Sequence, residues 1–263
     1  MLNALNNKED SKNYLDAESI ESSKENNSNE ITEKKEVTEG PKDVEALKEV
    51  IRDAEVGDAF FFGKMEQDNN WDNGAEPIEW IVLEKTANEA FVISRKVLEW
   101  LTFSQYDDTV KKYNEKGIVI GTTGTSNYFT WDIVRNQQRA WLSNELYVNG
   151  FTESEKALIL LTSHETPSEG YATFEDEFDD YLYIPSQEEV EEHMLDVQLR
   201  TAEMTDYVAA KAKQETGEYI RWSLRSRATS LKSSMLIKED GELGAMYTNV
   251  PTGVRPVMWL DIS

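Results

Sequence analysis

Apolar positions first recur with a helical period at Val44, Leu47, Val50 and Ile51, with charged residues between them. That spacing predicts an amphipathic helix over 42–53. The pattern then changes. Phe60-Phe61-Phe62 and Ile78 to Leu83 are apolar, β-prone runs flanking the turn-rich segment Asp68-Asn69-Asn70-Trp71-Asp72-Asn73-Gly74, which reads as a hairpin with a long loop. Ala90 to Ser94 makes a third strand. The middle of the chain is helical. Thr130 is placed to cap a helix from Trp131 to about Asn144, with Val134, Trp141 and Leu142 on one face. Thr152-Glu153-Ser154-Glu155 and Ser186-Gln187-Glu188-Glu189 are capping boxes that each open a helix, the second after a short apolar strand, Tyr181 to Ile184. A further helix is predicted over 205–214. The end returns to strands. Trp222 and Leu224 alternate with Arg221, Ser223, Arg225 and Arg227, and Lys238 to Glu242 reads as a hairpin turn. In the last strand Val254, Pro256, Met258, Leu260 and Ile262 share the face to be buried, and Pro256 marks an edge or a bulge. Strands, helices, then strands, without a βαβαβ rhythm, predict an α+β fold with mainly antiparallel sheets.

The first 41 residues carry no such period. Asn, Ser, Glu and Lys dominate, and residues 1–45 hold 12 acids against six lysines. Such a segment cannot bury enough surface to offset its chain entropy, so a disordered acidic tail or linker over 1–41 is expected ahead of a single domain over 42–263. The 263-residue chain has 51 acids against 27 Lys and Arg, a net charge of −24. A field of that sign repels phosphate backbones and argues against nucleic acid as a partner. The absence of cysteine removes disulfides, thiolate zinc sites, iron–sulfur clusters and thiol nucleophiles. No apolar run approaches the ~18 residues of a membrane helix, so no membrane insertion is expected. The Met1 end shows no basic and apolar leader pattern. The expected location is therefore extracellular or cell-surface if an upstream signal has been removed, and cytoplasmic otherwise.

Candidate chemistry is sparse. Gly57 and Gly63 are too far apart for a phosphate loop, and Gly121-Thr122-Thr123-Gly124 lacks the third glycine. The two histidines, His164 and His193, read as a solvated loop residue and a solvated helix-face residue. Asp68, Asn70, Asp72 and Glu79 have the spacing of alternate oxygen ligands closed by a glutamate, which suits calcium. Against it, the glycine comes one position late, Pro77 interrupts the loop and the flanks read as strands, so a loop of Asx turns is preferred. Glu175 to Asp180 reads as a solvated acidic loop. Arg221, Arg225 and Arg227 form a positive stripe on one strand, suited either to an anionic ligand or to the chain's own acids. Trp80, Trp141, Trp222 and Trp259 belong to apolar patterns. Trp71, Trp100, Tyr128 and Trp131 sit in loops or at helix edges, where aromatic rings stack on sugars or anchor partner proteins. No cofactor is implied.

An ordered set of motifs adds a family. Tyr128-Phe129-Thr130-Trp131, Arg139-Ala140-Trp141-Leu142-Ser143-Asn144 and Phe151 to Lys156 come first, after Gly57-Asp58 and Pro77-Ile78-Glu79-Trp80. They are followed by Tyr183 to Glu189, Trp222-Ser223-Leu224-Arg225-Ser226 and Gly253-Val254-Arg255-Pro256-Val257-Met258-Trp259-Leu260. Over residues 55–263 this set resembles domain-of-unknown-function family 6273 of Gram-positive bacteria, whose members are often exported. The ending is also similar to C-type-lectin-like proteins, including the formylglycine-generating-enzyme group, in an Arg-Ser segment and a final Gly-x-Arg strand. The oxidase chemistry of that group needs cysteines, and this chain has none. One aromatic of its usual tryptophan pair is replaced in Arg221-Trp222-Ser223.

The resemblance implies a lectin-like fold and no activity that can be carried over. The leading expectation is a non-enzymatic binding module of an exported or cell-surface protein, recognising glycan or protein. The second is a hydrolase using carboxylates of the acidic loops, and the third a scaffold without ligand. Tyr128, Trp131, Arg225 and Arg227 are expected to border one concave ligand surface, with Trp141, Trp222 and Arg255 structural. Arg255 is expected on the last strand's face with Val257 and Trp259, buried and bonded to carbonyls or a carboxylate.

Overall fold

The hydrophobic pattern is realised as helix α1 (Val44–Asp53) followed by strands β1 (Ala59–Met65), β2 (Glu76–Lys85), β3 (Glu89–Ser94) and β4 (Glu99–Thr102). A short hairpin, β5 (Lys111–Tyr113) and β6 (Val119–Thr122), comes next. Then α2 (Gln137–Trp141) runs through a π-helical turn (Leu142–Leu146) into α3 (Tyr147–Gly150), and α4 (Glu153–Lys156) follows. A second hairpin pairs β7 (Thr162–Glu165) with β8 (Glu177–Asp180). Helices α5 (Gln187–His193), α6 (Val197–Arg200) and α7 (Asp206–Ala212) precede β9 (Trp222–Arg227), β10 (Ser233–Ile237), β11 (Leu243–Tyr247), β12 (Pro251–Val254) and β13 (Val257–Asp261). These elements come from a computed structural model that describes residues 44–104, 111–113, 119–122, 136–165, 177–230 and 232–263. All of them fall within one unit, Val37–Ser263. The tail expected over 1–41 and the helix start expected at Thr130 lie outside the described residues.

Two sheets carry the fold. One has the order β1-β2-β3-β13 and the other β11-β10-β9-β12-β4. Pairing is antiparallel except between β12 and β9, so the protein is α+β with mainly antiparallel sheets, as the pattern predicts. The first sheet is buried on both faces. Trp80, Val82, Val92 and Met258 enter a core shared with α1 and Leu142, whereas Ile81, Leu83, Ile93 and Val257 enter a second core with Trp222, Leu224 and Val208. This double burial is why β2 and β3 read as continuous apolar runs rather than alternating ones.

The expected last strand is broken. β12 belongs to the second sheet and β13 to the first, and Arg255-Pro256 forms the corner between them. Pro256 has no amide to give to a ladder, and its carbonyl accepts from Ser94 N at 3.0 Å. Arg255 therefore lies at the corner, not on a strand face with Val257 and Trp259. Gly253 precedes the corner, where an added Cβ would lie 2.6 Å from Val97 Cγ1 and 2.9 Å from the Arg221 carbonyl. Only glycine fits that approach.

Local signals hold where side chains bond to their own backbone. Both capping boxes form, Thr152 with Glu155 and Ser186 with Glu189. Helix α2 is capped by Asn136, whose side chain accepts from Gln138 N at 2.6 Å and Arg139 N at 3.1 Å. Two strand readings change. Tyr181 to Ile184 is not a strand; only Tyr183 bridges, to Val257. The acidic run read as a loop contributes Glu177–Asp180 to β8, with Phe178 and Asp180 buried and Asp179 exposed. Its acids hid the two-residue alternation.

Gly63 on β1 has φ +65°, and an added Cβ would meet the buried Phe151 ring at 2.4 Å. Gly63→Ala is expected to lower stability by about 2 kcal/mol through backbone strain and overpacking. Urea denaturation checks this, and an unchanged midpoint would contradict it.

Candidate binding surface

Trp71 stands out because a large apolar ring is 71% exposed on a loop with little freedom. The loop joins β1 to β2 and is tied by its own side chains. Asn70 N donates to Glu66 Oε1 and to Asp68 Oδ1, each at 2.8 Å, and Asn73 Nδ2 donates to Asp68 Oδ2 at 2.7 Å. Gln67 N donates to Glu76 Oε2 at 2.6 Å, and Gln67 Nε2 donates to the Glu76 and Pro77 carbonyls. Asn69 and Gly74 take the left-handed conformation that the turn needs, at φ 59° and 89°. Burial raises the pKa of Glu66, and the bond from Asn73 lowers that of Asp68.

The ring is also supported from below. Trp71 meets Tyr207 of α7 edge to face, with centroids 6.2 Å apart. Tyr207 N donates to the Gln67 carbonyl at 3.0 Å, which joins the helix to the loop. The Tyr207 hydroxyl donates to Glu99 Oε2 at 3.0 Å and accepts from Lys211 Nζ at 3.0 Å. Lys211 pairs with the same buried Glu99, and its ammonium lies 5.0 Å from the Tyr207 ring centre. Desolvation raises the Tyr207 pKa, so the phenol stays protonated at neutral pH. An exposed indole can stack on a flat apolar ligand face, and the neighbouring exposed Asn70, Asp72 and Asn73 can bond to polar groups at its edge.

The structure separates the residues of the calcium spacing by their partners. Glu79 is on β2 and pairs with Arg95 at 2.7 Å, while Asn70 Oδ1 accepts from Asp72 N at 3.4 Å. The carboxylates that do converge are Glu66, Asp68 and Glu76, with oxygens within 4.8 Å of one another. Each already accepts from loop amides. Asx turns use the oxygens that a cation would need, because short polar side chains bond most readily to nearby backbone.

Tyr128 and Trp131 lie outside the described residues, so the surface expected from them with Arg225 and Arg227 is described only through the two arginines. Arg225 on β9 is in a two-pronged ion pair with Glu189, and Arg225 Nη2 lies 3.1 Å from Glu189 Oε1. Its guanidinium also lies 5.4 Å from the Tyr183 ring centre. Arg227 is half-buried opposite Ser234. Arg221 pairs with Glu239 at 3.5 Å and lies 5.2 Å from the Trp100 ring centre. The stripe is thus turned partly to the chain's own acids. Trp222 is buried, its Nε1 donating to the Arg200 carbonyl at 2.8 Å, and Trp141 is half-buried against the first core.

Both histidine readings change. His164 lies on β7, only 4% exposed, with its ring 4.0 Å from Tyr183 and 5.1 Å from Phe178. Burial, then Arg225 and Arg139, push its pKa down to about 3, so it is neutral at pH 7. His193 packs edge-on against Phe91, with Nδ1 3.3 Å from Glu84. The sequence missed β7 because a four-residue polar strand has no apolar period. Tyr207 was also missed as a site residue, and only its reach to Trp71 gives it a role.

These features define an α+β domain that presents an exposed tryptophan on a braced hairpin loop. Residues 135–262 match the family described as Domain of unknown function (DUF6273), which supports the resemblance to that family read from the motifs. The match begins after Trp71 and β1 to β4, whereas the motif set runs from residue 55. No curated protein and no solved structure matches the chain. Among the described residues no helix is long and apolar enough to cross a membrane.

Proposed function

We propose that this protein is a non-enzymatic binding module of C-type-lectin-like character, part of an exported or cell-surface bacterial protein, and that it recognises glycan. The observation that carries the reading is Trp71, 71% exposed yet held by the loop bonds and the Tyr207 ring. An exposed indole on a loop braced in advance offers its face to a sugar ring. The neighbouring Asn and Asp side chains supply the donors and acceptors that hydroxyl groups require. A protein ligand would use the same ring as an anchor in a pocket of its partner.

The test is a glycan and peptide array probed with the purified protein and with Trp71→Ala. The variant is expected to lose ~30-fold in affinity, the ~2 kcal/mol of a binding hot spot, while keeping its melting temperature. Binding to peptides alone would replace glycan by protein as the ligand class. Undiminished binding by Trp71→Ala would remove the site.

A further inference from the structure

A second, concave site opens beside β1. It has a volume of about 420 Å³ and lies between α1, β1 and the segment 149–155. That volume falls within the ~300–1,000 Å³ of small-molecule sites. Its deep walls are apolar: Leu47, Phe62 and Phe151 are each at most 5% exposed. Phe61 and Pro77 continue that surface outward, and Lys64, Thr152 and Ser154 form the polar rim.

The charges of the rim are unequal. The Glu155 carboxylate is fully engaged. Its Oε1 accepts from Gly63 N at 3.1 Å, and its Oε2 accepts from Thr152 N and Thr152 Oγ1, each at 2.8 Å. Lys64 is different. Its ammonium makes no ion pair or hydrogen bond among the described residues, in a chain with 51 acids against 27 Lys and Arg. One uncommitted cation among the residues lining a cavity with apolar deep walls and a polar rim matches a ligand with an apolar body and one negative charge. A polyanion would meet the field of a chain with net charge −24.

We propose that this cavity binds a small monocarboxylic acid with an aromatic or short aliphatic body, the body between Leu47, Phe61 and Phe151 and the carboxylate at Lys64. Pro77 borders both this cavity and the braced loop, but the site makes no use of Trp71 and stands or falls independently of it.

The experiment titrates the full chain with 3-phenylpropionate, followed by calorimetry and by shifts of the Phe and Leu methyl and ring signals. The uncharged 3-phenylpropan-1-ol serves as control. The acid is expected to bind with a dissociation constant of ~1 mM or tighter, and the alcohol several-fold more weakly. Lys64→Met should bring the acid down to the level of the alcohol with no change in melting temperature. Ser154→Trp, at the exposed rim, should block both compounds. Equal binding of acid and alcohol, an unaltered Lys64→Met, or no binding of either compound would overturn the proposal.

Discussion

Arg255→Ala is expected to destabilise the domain by ~3–5 kcal/mol, the sum of orphaned buried carbonyls and a cavity. Arg255 is 1% exposed. Its Nε donates to the Ser94 carbonyl and its Nη1 to the Leu199 carbonyl, each at 2.8 Å, with the Arg200 carbonyl at 3.4 Å from Nη1. The guanidinium also lies 5.1 Å from the Trp222 ring centre. These partners come from the end of β3, from α6 and from β9, so one side chain ties three elements to the corner between the sheets. Burial and the nearby Arg95 lower its pKa to about 9, and it remains charged at pH 7. Arg255→Lys should recover little, since an ammonium lacks the planar fork that reaches two carbonyls at once. Urea denaturation of both variants checks this. A native midpoint for Arg255→Ala would show that the corner is held by other contacts and leave Arg255 free for a ligand.

The second large effect depends on pH. His164 is ordinary in the unfolded chain, with a pKa of 6.5, but its folded value is about 3. The charged form is disfavoured by burial and by Arg225 and Arg139, and only Asp179 favours it. Below pH 6.5 the unfolded chain takes up a proton that the folded chain refuses, so stability falls as pH falls. The loss grows by ~1.4 kcal/mol per pH unit and reaches roughly 4–5 kcal/mol near pH 3. Carboxylates also titrate in this range, so the comparison must be internal. His164→Phe keeps a ring against Tyr183 and Phe178 and removes the proton site. Relative to this variant, the native protein should weaken steadily from pH 6.5 to 3 and match it more closely at pH 7. Parallel stability curves for the two proteins would mean that His164 is protonated in the folded state.

Elements whose cause lies within a few residues were readable in the chain. The α1 stripe, both capping boxes, the β1–β2 hairpin and the turn at 238–242 each depend on short-range bonding or on a clear hydrophobic period. Elements made only by a distant neighbour were not. β7 and β8 are polar strands that exist through each other, and neither shows a period from which to recognise it. The candidate surface divides the same way. Trp71 was visible as a loop aromatic, but its support by Tyr207 joins residues 136 positions apart.

What the sequence determined by itself was the alternation of local structures and their class: an α+β order, an antiparallel preference, an acidic exterior and chemistry without thiols. Hydrophobic period, capping and composition act over one or two turns of chain, so they can be read there. The tertiary structure alone decided that one terminal apolar run would serve two sheets, with Arg255 and Pro256 at the bend. It also decided that His164 would be buried and neutral near two arginines, and that Lys64 would line a cavity with no ion pair among the described residues. Burial, charge pairing and pocket shape arise from groups distant in sequence and adjacent in space, and no local pattern encodes which of them will meet.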